Sequence, residues 1–173
     1  FGKESTGIPK EILKADLEKE IANNFANESV SLVANLPYYI TTAILTKFLT
    51  ETSKVNKMVV MMQKEVAMRI CGKPKTKDYN ALSVFIQYYS NAKIAINVSP
   101  NCFYPAPDVE SSVVLIERKE ITNKALCEES FNNFVKWIFA QRRKTLMNNI
   151  SKTSIPKDLA KEKLESLGFS QTV

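Results

Sequence analysis

Two short apolar runs, each passing directly into residues of helical period, restrict this chain to a narrow set of folds. Val30-Ser31-Leu32-Val33-Ala34 leads through Asn35-Leu36-Pro37-Tyr38-Tyr39-Ile40-Thr41-Thr42 into a helical pattern of Ile44, Leu45, Phe48 and Leu49, with Thr41 or Thr42 as its expected N-cap. Met58-Val59-Val60-Met61-Met62 is a continuous apolar run of the kind buried on both faces of a parallel sheet. It leads into a helix expected from about Lys64 to Ile70, stopped at Gly72. Strand, loop and helix in succession, twice over, predict an α/β fold.

Beyond Gly72 lies a basic loop, Lys73-Pro74-Lys75-Thr76-Lys77-Asp78, whose Asp78 is placed to cap a helix carrying Leu82, Phe85, Ile86 and Tyr89. Alternation then predicts two strands, one with Ile94, Ile96 and Val98 and one over Ser112 to Glu117 with Val113 and Leu115, as an antiparallel pair at the sheet edge. The proline-rich stretch between them, Pro100 to Asp108, fits neither element and reads as a shaped loop. Near Lys119 the character changes. Glu120 to Leu126 reads as a connector, after which Phe131, Phe134, Val135, Ile138 and Phe139 form one helical stripe. Leu159, Leu164 and Leu167 mark a last helix entered at Pro156 and ended by Gly168. A small all-helical domain over 121–173 is thus expected after an α/β domain over 1–120.

The 173 residues, 45% of them hydrophobic, suffice for one real core and a small satellite. A net charge of +6 favours a polyanionic partner such as nucleic acid. No apolar run approaches the roughly 20 residues that cross a bilayer, and Phe1-Gly2-Lys3-Glu4-Ser5 lacks the layout of a signal peptide. A cytoplasmic protein without a membrane partner is expected. Cys71, Cys102 and Cys127 have no Cys-x-x-Cys spacing and read as packing residues. With no histidine in the sequence, Ser-His and Cys-His catalysis and imidazole-ligated zinc are excluded within it, and no metal is expected. Chemistry must run on positioning, amides, carboxylates or a bound cofactor.

Asn35-Leu36-Pro37-Tyr38 stands at the carboxyl end of a strand, where α/β sheets bind ligands. The Asn35 amide and the Pro37 carbonyl can each accept a hydrogen bond from an exocyclic amine, and Tyr38 can stack on the ring that bears it. The unit therefore suits the amino group of adenine or cytosine, while the same residues also suit a plain strand-to-helix turn. Phe103, stiffened by Pro105 and Pro107, can supply a second aromatic wall or simply be a core ring at a strand end. Stacking is worth roughly 1–3 kcal/mol per base. Arg142-Arg143-Lys144 interrupts an amphipathic pattern; on a helix these cations would fan out as a collar. With Lys73, Lys75 and Lys77 they are either phosphate contacts or solvated charge.

Four segments in order carry a resemblance. Asn35-Leu36-Pro37-Tyr38-Tyr39-Ile40-Thr41-Thr42, Met62-Gln63-Lys64-Glu65-Val66-Ala67, Phe103-Tyr104-Pro105-Ala106-Pro107-Asp108-Val109-Glu110-Ser111-Ser112-Val113-Val114 and Gln141-Arg142-Arg143-Lys144-Thr145-Leu146 closely resemble the bacterial small-subunit ribosomal RNA adenine dimethyltransferases. The erythromycin-resistance rRNA methyltransferases share the first and third segments in altered form and lack the last. The resemblance covers essentially the whole chain. It implies a Rossmann-like methyltransferase sheet, here its C-terminal half, followed by a helical rRNA-binding domain. It further implies N6,N6-dimethylation of two adjacent adenosines near the 3′ end of small-subunit rRNA. S-adenosyl-L-methionine is the implied methyl donor, and the immature 30S subunit the implied partner, with no obligate protein partner evident. Asn35, Leu36, Pro37, Tyr38 and Phe103 are the implied catalytic set: Asn35 accepts from the target N6 beside the donor, Pro37 gives its carbonyl, and Tyr38 and Phe103 sandwich the base. Glu11 is the nearest candidate for a further donor-binding residue.

The sequence also departs from the family. Gly2, Gly7, Gly72 and Gly168 cannot make the Gly-x-Gly loop that relatives use for the donor, and Met147 stands where many carry a basic residue. An N-terminally truncated enzyme is the expectation. A non-catalytic rRNA-binding or ribosome-assembly module is the competing one.

Overall fold

A computed structural model describes residues 8–25, 29–141 and 143–169. In chain order the elements are α1 (Ile8–Lys14), α2 (Leu17–Phe25), β1 (Val30–Asn35), α3 (Thr41–Glu51), β2 (Val55–Gln63), α4 (Lys64–Ile70), α5 (Ala81–Tyr89), β3 (Ser90–Val98), a 3-10 turn (Pro100–Cys102), β4 (Ser111–Arg118), α6 (Glu128–Ile138), α7 (Leu146–Ile150) and α8 (Lys157–Ser166). They form two compact units that divide between Ile121 and Thr122.

In the first unit the four strands take the order β1-β2-β4-β3. β1 and β2 are parallel; β4 runs antiparallel to both β2 and β3. The late alternating runs thus pair antiparallel with β3 at the edge, as their pattern predicts. The alternation itself breaks: Ile94 pairs with Val114 but Ile96 with Val113, so Ala95 is an extra residue that turns Ile96 to the other face. Ile96 is accordingly exposed.

The expectation that β2 is buried on both faces needs correction. Met58, Val60 and Met62 are fully buried with Val114, Ile116, Ile44, Leu45, Ile70 and Ile86, whereas Val59 and Met61 on the opposite face are only half-buried. Opposite Val59 stand Val33 on β1 and Leu115 on β4, and Val33 is 77% exposed. Helices pack against one face, and each of the three β2 side chains on that face is worth about 1.5–3 kcal/mol of burial.

Local signals account for most element ends. Asp16, which the strand-centred reading leaves aside, accepts from Lys19 N–H at 3.1 Å and starts α2, whose Leu17 and Ile21 lie one turn apart and are buried. α3 begins without a side-chain cap at Ile40, so neither Thr41 nor Thr42 is the cap. Nor does Asp78 cap α5. Asn80 does, accepting from Leu82 and Ser83 N–H while the Ser83 hydroxyl accepts from Asn80 N–H, a reciprocal capping box.

Gly72 lets the chain fold back on itself, since a Cβ there would lie 2.9 Å from the Asp78 carbonyl carbon and 3.0 Å from Tyr79 N. Backbone atoms cannot swing aside as a side-chain tip can. Gly72→Ala is therefore expected to cost about 1–3 kcal/mol, read as a lower urea midpoint at an unchanged slope.

In the second unit Val135, Ile150 and Ala160 form the buried centre of α6, α7 and α8. Asn149 is buried and donates from Nδ2 to the carbonyls of Ile138 (3.0 Å) and Gln141 (3.2 Å), which ties α7 to the end of α6. Gly168, at φ +81°, supplies the left-handed residue that ends α8.

Candidate nucleic-acid base site

The carboxyl end of β1 and the loop between β3 and β4 meet around a cavity of about 320 Å3, lined by Asn35, Leu36, Pro37, Tyr38, Phe103, Pro105 and Pro107. This size lies at the low end of ligand pockets, roughly 300–1,000 Å3, and suits one flat base. All five residues of the implied catalytic set line it.

β1 places them because its last residue, Asn35, still pairs with Met61 and Leu36 N–H still donates to the Met61 carbonyl at 3.3 Å. Pro37 then stops the ladder. The Leu36 side chain belongs to the core, so its main chain is what it can offer a polar ligand. Asn35 is exposed and its side-chain amide has no hydrogen-bond partner among the described residues. The Pro37 carbonyl already accepts from Ile40 N–H at 3.2 Å and from the Thr41 hydroxyl at 3.0 Å. Both of its lone pairs are engaged. Thr41, expected as a cap, thus closes the turn from below.

Tyr38 is half-buried and its phenol hydroxyl hydrogen-bonds the Ser111 hydroxyl at 2.8 Å, with Ser111 fully buried at the start of β4. On the opposite loop Ser99 caps the 3-10 turn through Asn101 N–H, and Phe103 N–H donates to the Pro100 carbonyl at 3.1 Å. Phe103 itself is half-buried, next to the fully exposed Tyr104. Lys64 holds the far end of this loop, through its N–H to the Glu110 carbonyl at 2.9 Å and its ammonium to the Glu110 carboxylate at 2.6 Å.

The remaining sequence candidates lie elsewhere. Glu11 is exposed on α1 and does not line the cavity. Lys73, Lys75 and Lys77 are exposed on a built turn: Lys75 adopts φ +69°, Thr76 donates its hydroxyl to the Lys73 carbonyl at 2.7 Å, and Gln87 bonds the Ile70 and Gly72 carbonyls. In the second unit, Arg143 and Lys144 are exposed; Arg142 lies outside the described residues. The expected helical collar is corrected here. α6 ends at Ile138 with Phe139 as C-cap, and α7 starts afresh at Thr145, whose hydroxyl caps it through Asn148 N–H, so Arg143 and Lys144 sit in an interhelical turn.

The packing role expected for three cysteines holds only for Cys71, which packs against the core and whose thiol pKa burial raises. Cys102 and Cys127 are exposed. No described helix is long and apolar enough to cross a membrane, and the described residues contain no group of three or more His, Cys, Asp or Glu side chains able to hold a metal ion.

Comparison with known proteins identifies relatives of the chain as a whole. The family model described as Ribosomal RNA adenine dimethylase matches residues 2–167. Proteins named Ribosomal RNA small subunit methyltransferase A are 46% identical in Alkaliphilus oremlandii, over 83% of this chain and 50% of that protein, and 41% identical in Alkaliphilus metalliredigens, over 95% and 58%. The chain thus spans about half the length of the curated relatives it matches. Among solved structures, a dimethyladenosine transferase from Plasmodium falciparum superposes with TM-score 0.71 at 21% identity, covering 90% of this chain and 70% of that one. The 23S rRNA methyltransferase ErmE gives TM-score 0.63 at 17% identity, covering 99% and 72%. The sheet and helices are those of the Rossmann-like methyltransferase fold. With a family match over residues 2–167 and relatives 41–46% identical over most of its length, this chain belongs to the ribosomal RNA adenine dimethylase family.

Proposed function

We propose that this chain carries the base-holding part of an rRNA adenine N6,N6-dimethyltransferase acting in the cytoplasm on two adjacent adenosines near the 3′ end of small-subunit rRNA, within the immature 30S subunit. One observation carries the reading: Asn35, Leu36 and Tyr38, at the end of β1, and Phe103, from a distant loop, line a single base-sized cavity.

The lone pair of an aryl amine is delocalised into its ring, which makes it a poor nucleophile. Two acceptors on the amino hydrogens favour a pyramidal nitrogen with its lone pair aimed out of the ring plane, so the site works by orientation and electrostatics. The free Asn35 amide oxygen is the first acceptor. For the second we place the Leu36 carbonyl ahead of Pro37, because the Pro37 carbonyl is already doubly engaged and the Leu36 carbonyl takes no hydrogen bond among the described residues. Tyr38 and Phe103 supply the stacking surfaces for a base taken out of its helix.

S-adenosyl-L-methionine, as donor, supplies an electrophilic methyl group on a sulfonium. The residues present do not make a complete site for it. Of the chain's four glycines, Gly72 ends α4 and Gly168 ends α8, and Gly2 and Gly7 stand too far apart for a Gly-x-Gly pair. Asn35 is the residue of this chain that would border the donor, with Glu11 a candidate for its nucleoside.

Nucleoside analysis tests the reading. A full-length protein containing this sequence, incubated with immature small subunits and S-adenosyl-L-methionine, should yield N6,N6-dimethyladenosine near the rRNA 3′ end. RNA binding without that product would favour the assembly-module alternative. The cations should contribute in a sequence-independent way. Arg142, Arg143 and Lys144 changed together to alanine should lower the slope of log affinity against log salt by roughly 2–3. Different RNAs should weaken about equally, because phosphate contacts position without specifying sequence. An unchanged slope in filter binding would make these residues merely solvated charge.

A further inference from the structure

We propose that Ser111 is a positioning residue for the base cavity: its buried hydroxyl holds the Tyr38 phenol and so fixes where the Tyr38 ring stands against a bound base. The inference rests on the reading of the cavity as an adenine site.

Ser111 is well placed to act as an anchor. It is fully buried, and its backbone sits between Gln63 on β2 and Val98 on β3. The residue before it, Glu110, is held by Lys64 through both backbone and side chain. Only the hydroxyl rotor is left to move. Tyr38, by contrast, hangs from a turn past the end of β1, where its side chain can swing about the first torsion between staggered wells unless its tip is held. The 2.8 Å bond between the two hydroxyls fixes the far end of the ring to β4. It also directs the phenol toward β4, and the ring that lines the cavity is what Tyr38 offers a flat ligand.

A second feature gives the bond its purpose. Ser111 closes the loop that carries Phe103, so one residue ends the segment bearing one aromatic wall and holds the tip of the other. The Tyr38 wall is thereby tied to the strand end at which the Phe103 loop closes.

The test uses the 173-residue chain with adenosine as the probe, comparing wild type, Ser111→Ala, Tyr38→Phe and the double variant by NMR titration. Adenosine should bind the wild type with upfield ring-current shifts of its H2 and H8 protons. Each single variant keeps the ring and loses the bond, so each should weaken binding about five-fold and shrink those shifts. The double variant should be no weaker than either single one, because both remove the same bond. Tyr38→Phe breaks the bond from the turn side and serves should Ser111→Ala fail to fold. Wild-type affinity and shifts in the folded single variants, with only the melting temperature lowered, would overturn the proposal and leave Ser111 a structural residue. No saturable adenosine binding by the wild type would instead overturn the adenine reading, and this inference with it.

Discussion

Asn35→Ala should lower methyl transfer to rRNA by about 10²–10³-fold, the usual cost of deleting one preorganised polar group that acts on the reacting centre, while RNA affinity stays within about two-fold. The argument is local. Asn35 ends a paired strand, is exposed at the cavity, and has an amide without a partner among the described residues, so alanine removes an acceptor and disturbs little packing. RNA affinity rests on phosphate contacts, which Asn35 does not make in this account. Single-turnover methylation by a full-length protein containing this sequence, with filter binding in parallel, separates the two effects. Near-wild-type turnover would remove Asn35 from the site.

Arg118→Met is expected to have the largest effect on stability, about 2–4 kcal/mol in urea unfolding of this chain, because it deletes several charge-assisted bonds at once. From the end of β4, its guanidinium donates to the carbonyls of Val55 (3.2 Å), Leu49 (3.1 Å), Phe48 (2.9 Å) and Thr52 (2.6 Å). Phe48, Leu49 and Thr52 belong to the last turn and C-cap of α3, where carbonyls lack intrahelical donors and the helix dipole favours a cation. Burial lowers the Arg118 pKa, opposed by the nearby Tyr89. Methionine keeps much of the stem and supplies none of the donors. Lysine should restore under half of the loss, because one ammonium cannot reach a fork of four carbonyls. A change below about 0.5 kcal/mol would show that water replaces the guanidinium at the helix end.

The uneven legibility of the sequence follows from where each interaction lives. β1 and β2 could be read because apolar runs of strand length flanked by turn residues have few other uses. The pairing of β3 with β4 could be read from alternation, but the bulge at Ala95 could not, since one extra residue in a ladder leaves the local pattern intact. Sequence alone does not decide a cap where several suitable residues compete. Asp78 and Asn80 both accept N–H bonds well, and Ser83, which returns the bond, decides for Asn80. Apolar residues at helical spacing on both sides of Arg142-Arg143-Lys144 predict a helical collar. At Arg143 and Lys144 the chain turns instead, with Asn149 holding the Ile138 and Gln141 carbonyls and Thr145 starting a new helix.

At the cavity, the residue types announced their chemistry and their partners did not. An amide, a proline and an aromatic ring after a strand suggested a base pocket. That Thr41 would occupy the Pro37 carbonyl, or Ser111 the Tyr38 phenol, depends on the path of the turn and on a strand far along the chain. Arg118 is the extreme case. Its partners are backbone carbonyls, which carry no sequence signature at all.

The central claim is that an adenine of the rRNA enters between the Asn35 turn and the Phe103 loop. The most direct measurement is photocrosslinking of the protein to a small-subunit 3′ rRNA fragment carrying 8-azidoadenosine at the target position, with adducts mapped by mass spectrometry. The account predicts adducts on the peptides bearing Tyr38 and Phe103, suppressed by excess adenosine. Adducts confined to the peptides around Lys75 and Lys144, unaffected by adenosine, would contradict it.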